Sequence, residues 1–384
     1  MVFGQSAIGT ASWAALIAIQ SAASYKFNAD PLYMSAIALA WASPTLLFSP
    51  VIGRAIDSYG PRRVACIAAI ANIVVSCAFV FVASLPVLFA VTLLAGGARA
   101  FAQTAIDSMP SHLADGVEPV TASIWLGFAT SIPVVAGPIV AASALAVVGI
   151  SGIFLINVGT YALGLVIILR LRTTRITLSS QGSDNRSAHT AGFRDALLVL
   201  GVTLAVWASY GAFSPLEVLY VRLVLNEPAT SYAIIDVFFG AGLILATLVI
   251  RWKSWLLSQA YFLQFSVVLV GITECIYIGT NTFAIAIVGS TLWGIAVGLF
   301  GPACRVLILQ RTPRSEHGRA MARWRAVQSF GGLIPPVASG AIASRVGIQP
   351  TLLGFASAVV VVGLFVAALE RRRTGSTART GDRQ

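Results

Sequence analysis

The sequence predicts an all-α membrane protein whose twelve transmembrane helices form two pseudo-symmetric bundles of six. Three observations carry this prediction. The chain of 384 residues is 57% hydrophobic and only 10% charged, long apolar runs recur from end to end, and the second half partly repeats the first. A soluble domain usually has about 25% charged residues. This chain therefore lacks the polar surface that a soluble protein of its length needs.

The predicted membrane spans are apolar runs of about 20 residues, each long enough to cross about 30 Å of hydrocarbon as a helix. They cover residues 5–25, 32–53, 64–84, 86–107, 120–146, 151–171, 194–222, 229–250, 255–278, 281–304, 320–344 and 350–369. An even number of spans places both termini on the same side of the membrane.

The basic residues indicate which side that is. With both termini cytoplasmic, 21 of the 25 basic residues fall in cytoplasmic segments, whereas Lys26, Arg222 and Arg345 lie outside and Arg99 lies within a span. Cytoplasmic loops carry this excess in membrane proteins. The net charge of +11 resides largely in these loops, so the expected partner is the lipid bilayer and not nucleic acid. We expect a multi-pass protein of a bacterial inner (plasma) membrane.

Polar segments divide the chain into four parts. Residues 173–192, the longest polar connection, are predicted to link an N-terminal six-helix bundle (1–172) to a C-terminal six-helix bundle (193–370) on the cytoplasmic side. The charged end, 371–384, is expected to be a disordered cytoplasmic tail.

Residues typical of metal or catalytic centres are scarce in the predicted spans. The four cysteines lack metal-type spacing, and all three histidines lie in polar connections. The chain has no phosphate-binding loop and no hydrolase motif. We therefore expect no metal, no cofactor and no enzymatic activity.

An internal repeat relates the two halves. At an offset of 197, residues 30–54 align with 227–251 without a gap, and both segments begin with an acid and a proline and end with an arginine. At an offset of 198, residues 136–150 align with 334–348. Chance matches are common in a chain rich in Ala, Val and Ile, but two nearly equal offsets favour duplication. Duplicated six-helix halves with a substrate site near the midplane are typical of one large class of transporters.

A short polar segment, GRAIDSYGPRR, separates the second and third predicted spans. It resembles the loop signature of the major facilitator superfamily, G-x-x-x-D-R-x-G-R-R, and the chain resembles this family over essentially its whole length. The resemblance implies the major facilitator fold and a cytoplasmic gate in which the aspartate caps a helix N-terminus of the opposite half. The gate residues would be Gly53, Asp57, Gly60, Arg62 and Arg63. A plain tight turn with orienting charges is the alternative interpretation.

Three further stretches, 99–123, 216–235 and 307–327, are similar to the branch of this family that exports drugs, macrolides and siderophores. This resemblance implies proton-coupled export of an amphipathic small molecule by alternating access. We expect a monomer whose partners are that molecule, protons and the bilayer. Metabolite uptake, and a membrane sensor or scaffold without turnover, stay open as alternatives.

Ionisable residues within spans are functional candidates because they are costly in hydrocarbon. Arg99, Gln103 and Asp107 recur every four residues and share one helix face. The alternatives are a structural Arg99 bonded to backbone carbonyls and an Asp107 that snorkels to the cytoplasm. Asp236, about 10 Å inside the eighth span, is the leading candidate for proton coupling, whereas Glu274 is expected to reach outer water.

Aromatic residues, glycines and prolines complete the candidate site. Trp207 and Tyr210 precede Glu217 at helical spacing in the seventh span, which indicates either cavity lining or anchoring at the membrane interface. The glycines of the tenth span are predicted to pack closely against a neighbouring helix. The predicted hinges are Gly137, Pro138, Pro335 and Pro336.

Overall fold

The computed structural model describes residues 2–108, 119–170, 191–252, 255, 257, 259–312 and 317–381. These residues form helices and short connections. The α-helices are α1 (Val2–Ser21), α2 (Pro31–Leu47), α3 (Ser49–Tyr59), α4 (Pro61–Val80), α5 (Leu85–Ser108), α6 (Pro119–Val147), α7 (Gly149–Arg170), α8 (Ala191–Leu223), α9 (Ala229–Trp252), α10 (Ala260–Ile278), α11 (Phe283–Arg311), α12 (His317–Leu333), α13 (Pro335–Val346) and α14 (Ile348–Gly381). One π-helical turn, Ala22–Lys26, follows α1.

The number of spans agrees approximately with the predicted twelve. Ten helical stretches of the described residues are long and apolar enough to cross a bilayer, and the bent pair α2 and α3 adds an eleventh. A shorter apolar stretch, Ile132–Val147, occupies the second half of the fifth predicted span. The all-helical, multi-pass fold predicted from the apolar runs is confirmed.

The chain divides into two compact units. Unit 1 comprises Met1–Asp184 with Asn226–Val237, and unit 2 comprises Asn185–Leu225 with Phe238–Gln384. In unit 1, α1 packs against α6 and α7, α4 packs against α5 and α7, and α2 packs against α5. In unit 2, α8 packs against α12, α13 and α14, and α10 packs against α11 and α14.

The segment that was expected to be a loop after the second span is largely helical. The second span bends by 51° between α2 and α3, where Pro50 occupies the first turn of the new helix. Gly53 to Tyr59 lie inside α3, with Ile52 and Ile56 buried. The expected loop is thus wrong, because these two apolar side chains give the segment a helical buried face.

Two more segments differ from the sequence-based expectation. The eleventh span is split at Ile334, between α12 and α13, immediately before two prolines. Helix α14 continues to Gly381, so the expected tail is helical over 371–381. The run of good helix formers at Glu370–Arg373 carries the helix past the membrane span. Residues 382–384, and the predicted linker up to residue 190, lie outside the described residues.

The internal repeat is also visible in the backbone dihedral angles. Asn28 and Asn226 are the non-glycine residues with positive φ, at 53° and 57°, among the residues that the structure describes. Gly149 and Gly347 also have positive φ, at 70° and 100°. Each pair is separated by 198 positions, which agrees with the alignment of residues 136–150 with 334–348 and is one more than the offset of 197 expected for residues 30–54. Such conformations are uncommon, so their recurrence at one offset supports duplication of the fold.

A close helix contact is repeated at the same offset. In unit 1, a Cβ added to Gly96 of α5 would lie 2.6 Å from the backbone oxygen of Trp41 in α2. In unit 2, a Cβ on Gly294 of α11 would lie 2.1 Å from the backbone oxygen of Phe239 in α9. The two residues of the contact in unit 2 each lie 198 positions after their equivalents in unit 1. Glycine lets the two backbones approach in each unit.

A second contact is repeated with the small residue on the opposite helix. A Cβ on Gly9 of α1 would lie 2.5 Å from the ring of Pro133 in α6. In unit 2, a Cβ on Gly331 of α12 would lie 2.7 Å from the Cβ of Trp207 in α8. The positions correspond at an offset of 198, but the glycine has moved from one partner to the other. The two units therefore share a scaffold whose side chains have diverged.

Candidate functional site

Unit 2 contains a buried carboxyl group at Glu274 of α10. Its side chain is 1% exposed, and Oε1 accepts a hydrogen bond of 2.7 Å from the hydroxyl of Ser209 in α8. Its Oε2 is enclosed and has no hydrogen-bond partner among the described residues. The expectation that Glu274 reaches outer water is wrong, because its helix turns this position towards α8. A carboxyl group held in this way has an unused acceptor that a proton or a ligand donor could occupy.

A second acid of unit 2, Glu217 of α8, is also buried. It is 7% exposed, and its Oε1 accepts a 2.9 Å hydrogen bond from the phenol of Tyr277 in α10. Tyr220 donates in turn to the backbone oxygen of Tyr277, at 3.0 Å. Tyr277 lies three residues after Glu274 and so on a neighbouring position of the same helix face. The two acids thus occupy one polar seam between α8 and α10.

Aromatic rings surround Trp293 of α11. Its ring centroid lies 4.8 Å from that of Phe213, 4.8 Å from that of Phe239, 5.9 Å from that of Tyr210 and 6.1 Å from that of Tyr277. The indole Nε1 is buried and has no acceptor among the described residues. We call these five rings the Trp293 cluster. It combines apolar area with one unused hydrogen-bond donor.

The predicted cavity aromatics lie at the edge of this cluster. Trp207 and Tyr210 are half-buried, and their ring centroids are 5.5 Å apart in an edge-to-face arrangement. The predicted close packing of the tenth-span glycines is confirmed. A Cβ on Gly289 would lie 2.5 Å from the Cα of Tyr277, and one on Gly298 would lie 2.6 Å from the Cβ of Ala246.

In unit 1, Arg99 of α5 turns towards α2. Its Nη2 donates a 3.0 Å hydrogen bond to the hydroxyl of Thr45, and its guanidinium carbon lies 5.1 Å from the ring centroid of Trp41. The Nε is enclosed without an acceptor among the described residues. Gly96 makes this geometry possible, because it brings α5 against the Trp41 backbone one turn earlier.

The other two residues predicted on this face of α5 are hydrogen-bonded to each other. Gln103 Nε2 donates a 3.0 Å hydrogen bond to Oδ1 of Asp107, and Asp107 is exposed. The three residues share a face, as predicted, but the described contacts of Arg99 are with α2 and not with Gln103 or Asp107.

A hydroxyl pair joins α1 to α7 in the same unit. Tyr161 is 2% exposed, and its hydroxyl lies 3.1 Å from that of Ser12. One turn earlier on α7, Asn157 is fully buried, and neither amide atom has a hydrogen-bond partner within the described part of the chain. Buried amides rarely stay unpaired, so Asn157 marks a second place where polar capacity is unused.

Asp236 lies in the part of α9 that belongs to unit 1. It is half-buried, one turn after Tyr232, whose phenol donates to Oε1 of Gln20. Tyr25, in the π-helical turn, donates a 2.7 Å hydrogen bond to the backbone oxygen of Glu227. The start of α9 is therefore tied to the end of the first span by two tyrosines.

The predicted gate residues surround the junction of α3 and α4. Asp57 and Arg63 are exposed. Gly60 has φ 81° and ψ 150°, a combination essentially restricted to glycine. Arg62 donates from Nη2 to the backbone oxygen of Leu169 in the last turn of α7. A cation at a helix C-terminus is favourable, so Arg62 has a structural role at this end of unit 1.

The predicted hinge residues fall into two groups. Helix α6 continues through Pro133 and Pro138 without interruption, and a Cβ on Gly137 would lie 2.4 Å from the Cβ of Trp13, so Gly137 serves close packing. Pro335 and Pro336 instead follow the break between α12 and α13. Movement at either place stays a prediction.

The partners of these acids and of Arg99 could not be identified from the sequence. They are Ser209 and Tyr277, which donate to the acids, and Trp41 and Thr45, which contact Arg99. Trp293, the centre of the aromatic cluster, was not identified either. Hydroxyl and aromatic residues are common in membrane spans, so their types alone gave no signal. The offset of 198 could have identified Trp41 and Phe239 as equivalent positions. In the structure the backbone of each residue packs against a glycine of the neighbouring helix.

The geometry defines a class of protein: a polytopic helical membrane protein with a duplicated scaffold and with buried polar groups that have no partner among the described residues. A family model described as Major Facilitator Superfamily matches residues 1–257 and 198–384, and the chain belongs to this family. The curated protein YfiS of Bacillus subtilis (strain 168), an uncharacterized MFS-type transporter, is 19% identical over 371 residues, which are 92% of this chain and 88% of YfiS.

Solved structures have the same fold. A point mutant of the nucleoside transporter NupG matches with a TM-score of 0.75 at 14% identity over 96% of this chain and 98% of that chain. A bacterial homologue of the human lysosomal transporter Spinster matches with a TM-score of 0.71 at 12% identity over 96% of both chains. The protein is thus a multi-pass membrane transporter of the MFS type.

Proposed function

We propose that this protein is a secondary active transporter that exports an amphipathic small molecule in exchange for protons, by alternating access, across a bacterial inner membrane. Both termini would be cytoplasmic, as the distribution of basic residues indicates. The observation that carries the proposal is the buried, half-satisfied carboxyl of Glu274 in a transporter fold.

Glu274 takes the role of proton carrier in this proposal. Among the described residues its hydrogen-bond donor is the neutral hydroxyl of Ser209, and no basic residue forms an ion pair with it. An ionised group inside a membrane span costs several kcal/mol unless it meets a partner or water. The carboxyl therefore favours a bound proton while enclosed, and it releases the proton when water or a substrate reaches it. Glu217, whose partner is Tyr277, is the second acid of the same seam.

The Trp293 cluster would supply the apolar part of the substrate site. Tyr210 is a half-buried member of the cluster, and Trp207 packs against it from outside the cluster. The indole N–H of Trp293 is an unused donor within the described part of the chain. Ligand sites in proteins commonly combine aromatic walls with few polar groups. This composition favours an amphipathic molecule over a small polar metabolite.

The gate proposal concerns α3. Asp57 is exposed there and is accessible for capping a helix N-terminus, which contributes about 0.3 to 1 kcal/mol. A contact of that strength can form and break within a transport cycle. Gly60 and Arg62 hold the α3–α4 junction in place while the Asp57 contact forms and breaks.

The test is flux in proteoliposomes that carry a pH gradient. A panel of dyes, macrolides and siderophores represents the proposed substrates, and nucleosides are included because a structural neighbour is a nucleoside transporter. Export driven by protons supports the proposal. Uptake with the same coupling identifies a metabolite carrier, and ligand binding without flux identifies a sensor or scaffold. Either result would contradict export.

A further inference from the structure

Arg99 is a charged group of unit 1 that the proposed proton exchange does not use. Its partners are the hydroxyl of Thr45, at 3.0 Å, and the ring of Trp41, at 5.1 Å. No carboxylate among the described residues forms an ion pair with it. Its Nε is enclosed without an acceptor in the same part of the chain. A guanidinium has five N–H donors and no acceptor, so most of its hydrogen-bonding capacity is unmet.

The structural interpretation of Arg99, in which it bonds to backbone carbonyls, does not account for this arrangement. Its one hydrogen bond to the described residues ends on a side-chain hydroxyl and not on a backbone carbonyl.

The internal repeat shows that helix packing does not require the arginine. The contact of Gly96 with Trp41 in unit 1 corresponds to that of Gly294 with Phe239 in unit 2. The position equivalent to Arg99 in unit 2, 198 residues later, is Val297. The same close approach of two helices therefore forms with an apolar residue at this place.

We infer that Arg99, Thr45 and Trp41 form a subsite for an oxyanion, such as a carboxylate or sulfonate, carried on an aromatic molecule. The guanidinium carbon lies 5.1 Å from the ring centroid of Trp41, and a guanidinium is the group that binds carboxylates best, through its fixed fork of N–H donors. The Thr45 hydroxyl accepts from Arg99, and its own hydrogen is available to donate to the anion. Thr45 is exposed on unit 1, which gives a ligand access. The inference rests on the proposed transport function and assigns a negative charge to the substrate.

The test is calorimetric titration of the purified full chain in nanodiscs of phosphatidylcholine, with 2-naphthoate and its neutral isostere 2-naphthamide as probes. We expect the carboxylate to bind at least about tenfold more tightly, the factor that one charge-assisted hydrogen bond contributes. In Arg99→Gln this preference falls to about one while naphthamide affinity is retained, which also shows that the variant is folded. Thr45→Val reduces the preference in part.

Arg54→Gln is the matched control, because Arg54 is an exposed arginine of the same unit that bonds to the Pro50 carbonyl of its own helix. It keeps the full preference for the carboxylate. Equal binding of the two probes to the wild type, no binding of naphthoate, or an unchanged preference in Arg99→Gln overturns the inference.

A lipid headgroup could supply the same oxyanion chemistry. Nanodiscs containing phosphatidylglycerol separate the two sources: competition with naphthoate at Arg99 assigns the subsite to the headgroup, and undiminished binding assigns it to a soluble anion. Titration needs no turnover, so it is independent of the flux assay. If the protein binds naphthoate through Arg99 but transports nothing, the proposed function alone is refuted. If it exports only neutral or cationic compounds and shows no Arg99-dependent preference for the carboxylate, the subsite alone is refuted.

Discussion

Replacement of Glu274 by glutamine is the perturbation that bears most directly on coupling. Glutamine has the same shape, and its amide oxygen can still accept from Ser209, which donates to Oε1 at 2.7 Å. The enclosed Oε2 position becomes an amide nitrogen, which stays neutral and does not titrate. The variant should therefore fold and bind substrate, but it cannot gain or lose a proton at this place.

The magnitude follows from one carboxyl group carrying one proton. A difference of one pH unit stores about 1.4 kcal/mol per proton, which at one-for-one exchange sustains about a tenfold substrate gradient. In Glu274→Gln we expect the gradient driven by the pH difference to fall to about one. Exchange of labelled for unlabelled substrate, which moves no net proton, should continue.

Proteoliposomes with an imposed pH difference measure both quantities in one preparation. Asp236→Asn is the matched control, since Asp236 is the leading acid from the sequence and is half-buried. Accumulation that persists in Glu274→Gln refutes the assignment to Glu274. If accumulation is then lost in Asp236→Asn, the coupling role belongs to Asp236.

Three further predictions concern the scaffold and the gate. Asp57→Asn should slow flux without lowering thermal stability, and unchanged flux would reduce the α3 segment to a topological signal. Gly60→Ala should destabilise the protein by about 1 to 3 kcal/mol, because Gly60 has positive φ. Thermal unfolding measures this loss, and Gly53→Ala, whose added Cβ meets open space, is the control that should unfold like the wild type. Equal melting temperatures for the two variants would contradict the prediction. Gly294→Ala should destabilise by about 1 to 3 kcal/mol, because its Cβ would lie 2.1 Å from a backbone oxygen, and Gly301→Ala in the same helix, with no atom within 4 Å, is the control.

The membrane spans and the duplication could be predicted because both depend on local composition and on position along the chain. Apolar runs of membrane length form helices whatever their neighbours are. The alignment of residues 136–150 with 334–348 pairs Gly149 with Gly347, and both glycines have positive φ in the structure.

The polar interactions of the site could not be predicted in the same way. Whether Glu274 meets water or Ser209 depends on which helix covers its face, and a helical wheel does not contain that information. The helical conformation of Gly53 to Tyr59 could not be predicted either. The glycine and the charged residues indicate a loop, but the burial of Ile52 and Ile56, which depends on the fold, stabilises a helix. Arg99 was recognised as a candidate, but its partners on α2 became visible only with the fold.

The central claim is that this protein moves a small molecule in one direction and protons in the other. Simultaneous recording of substrate efflux and of internal pH in proteoliposomes tests it directly. We predict that each exported molecule is accompanied by one proton entering in the opposite direction, and that Glu274→Gln abolishes the pH change. Protons that move with the substrate, or substrate flux with no pH change in the wild type, would contradict it.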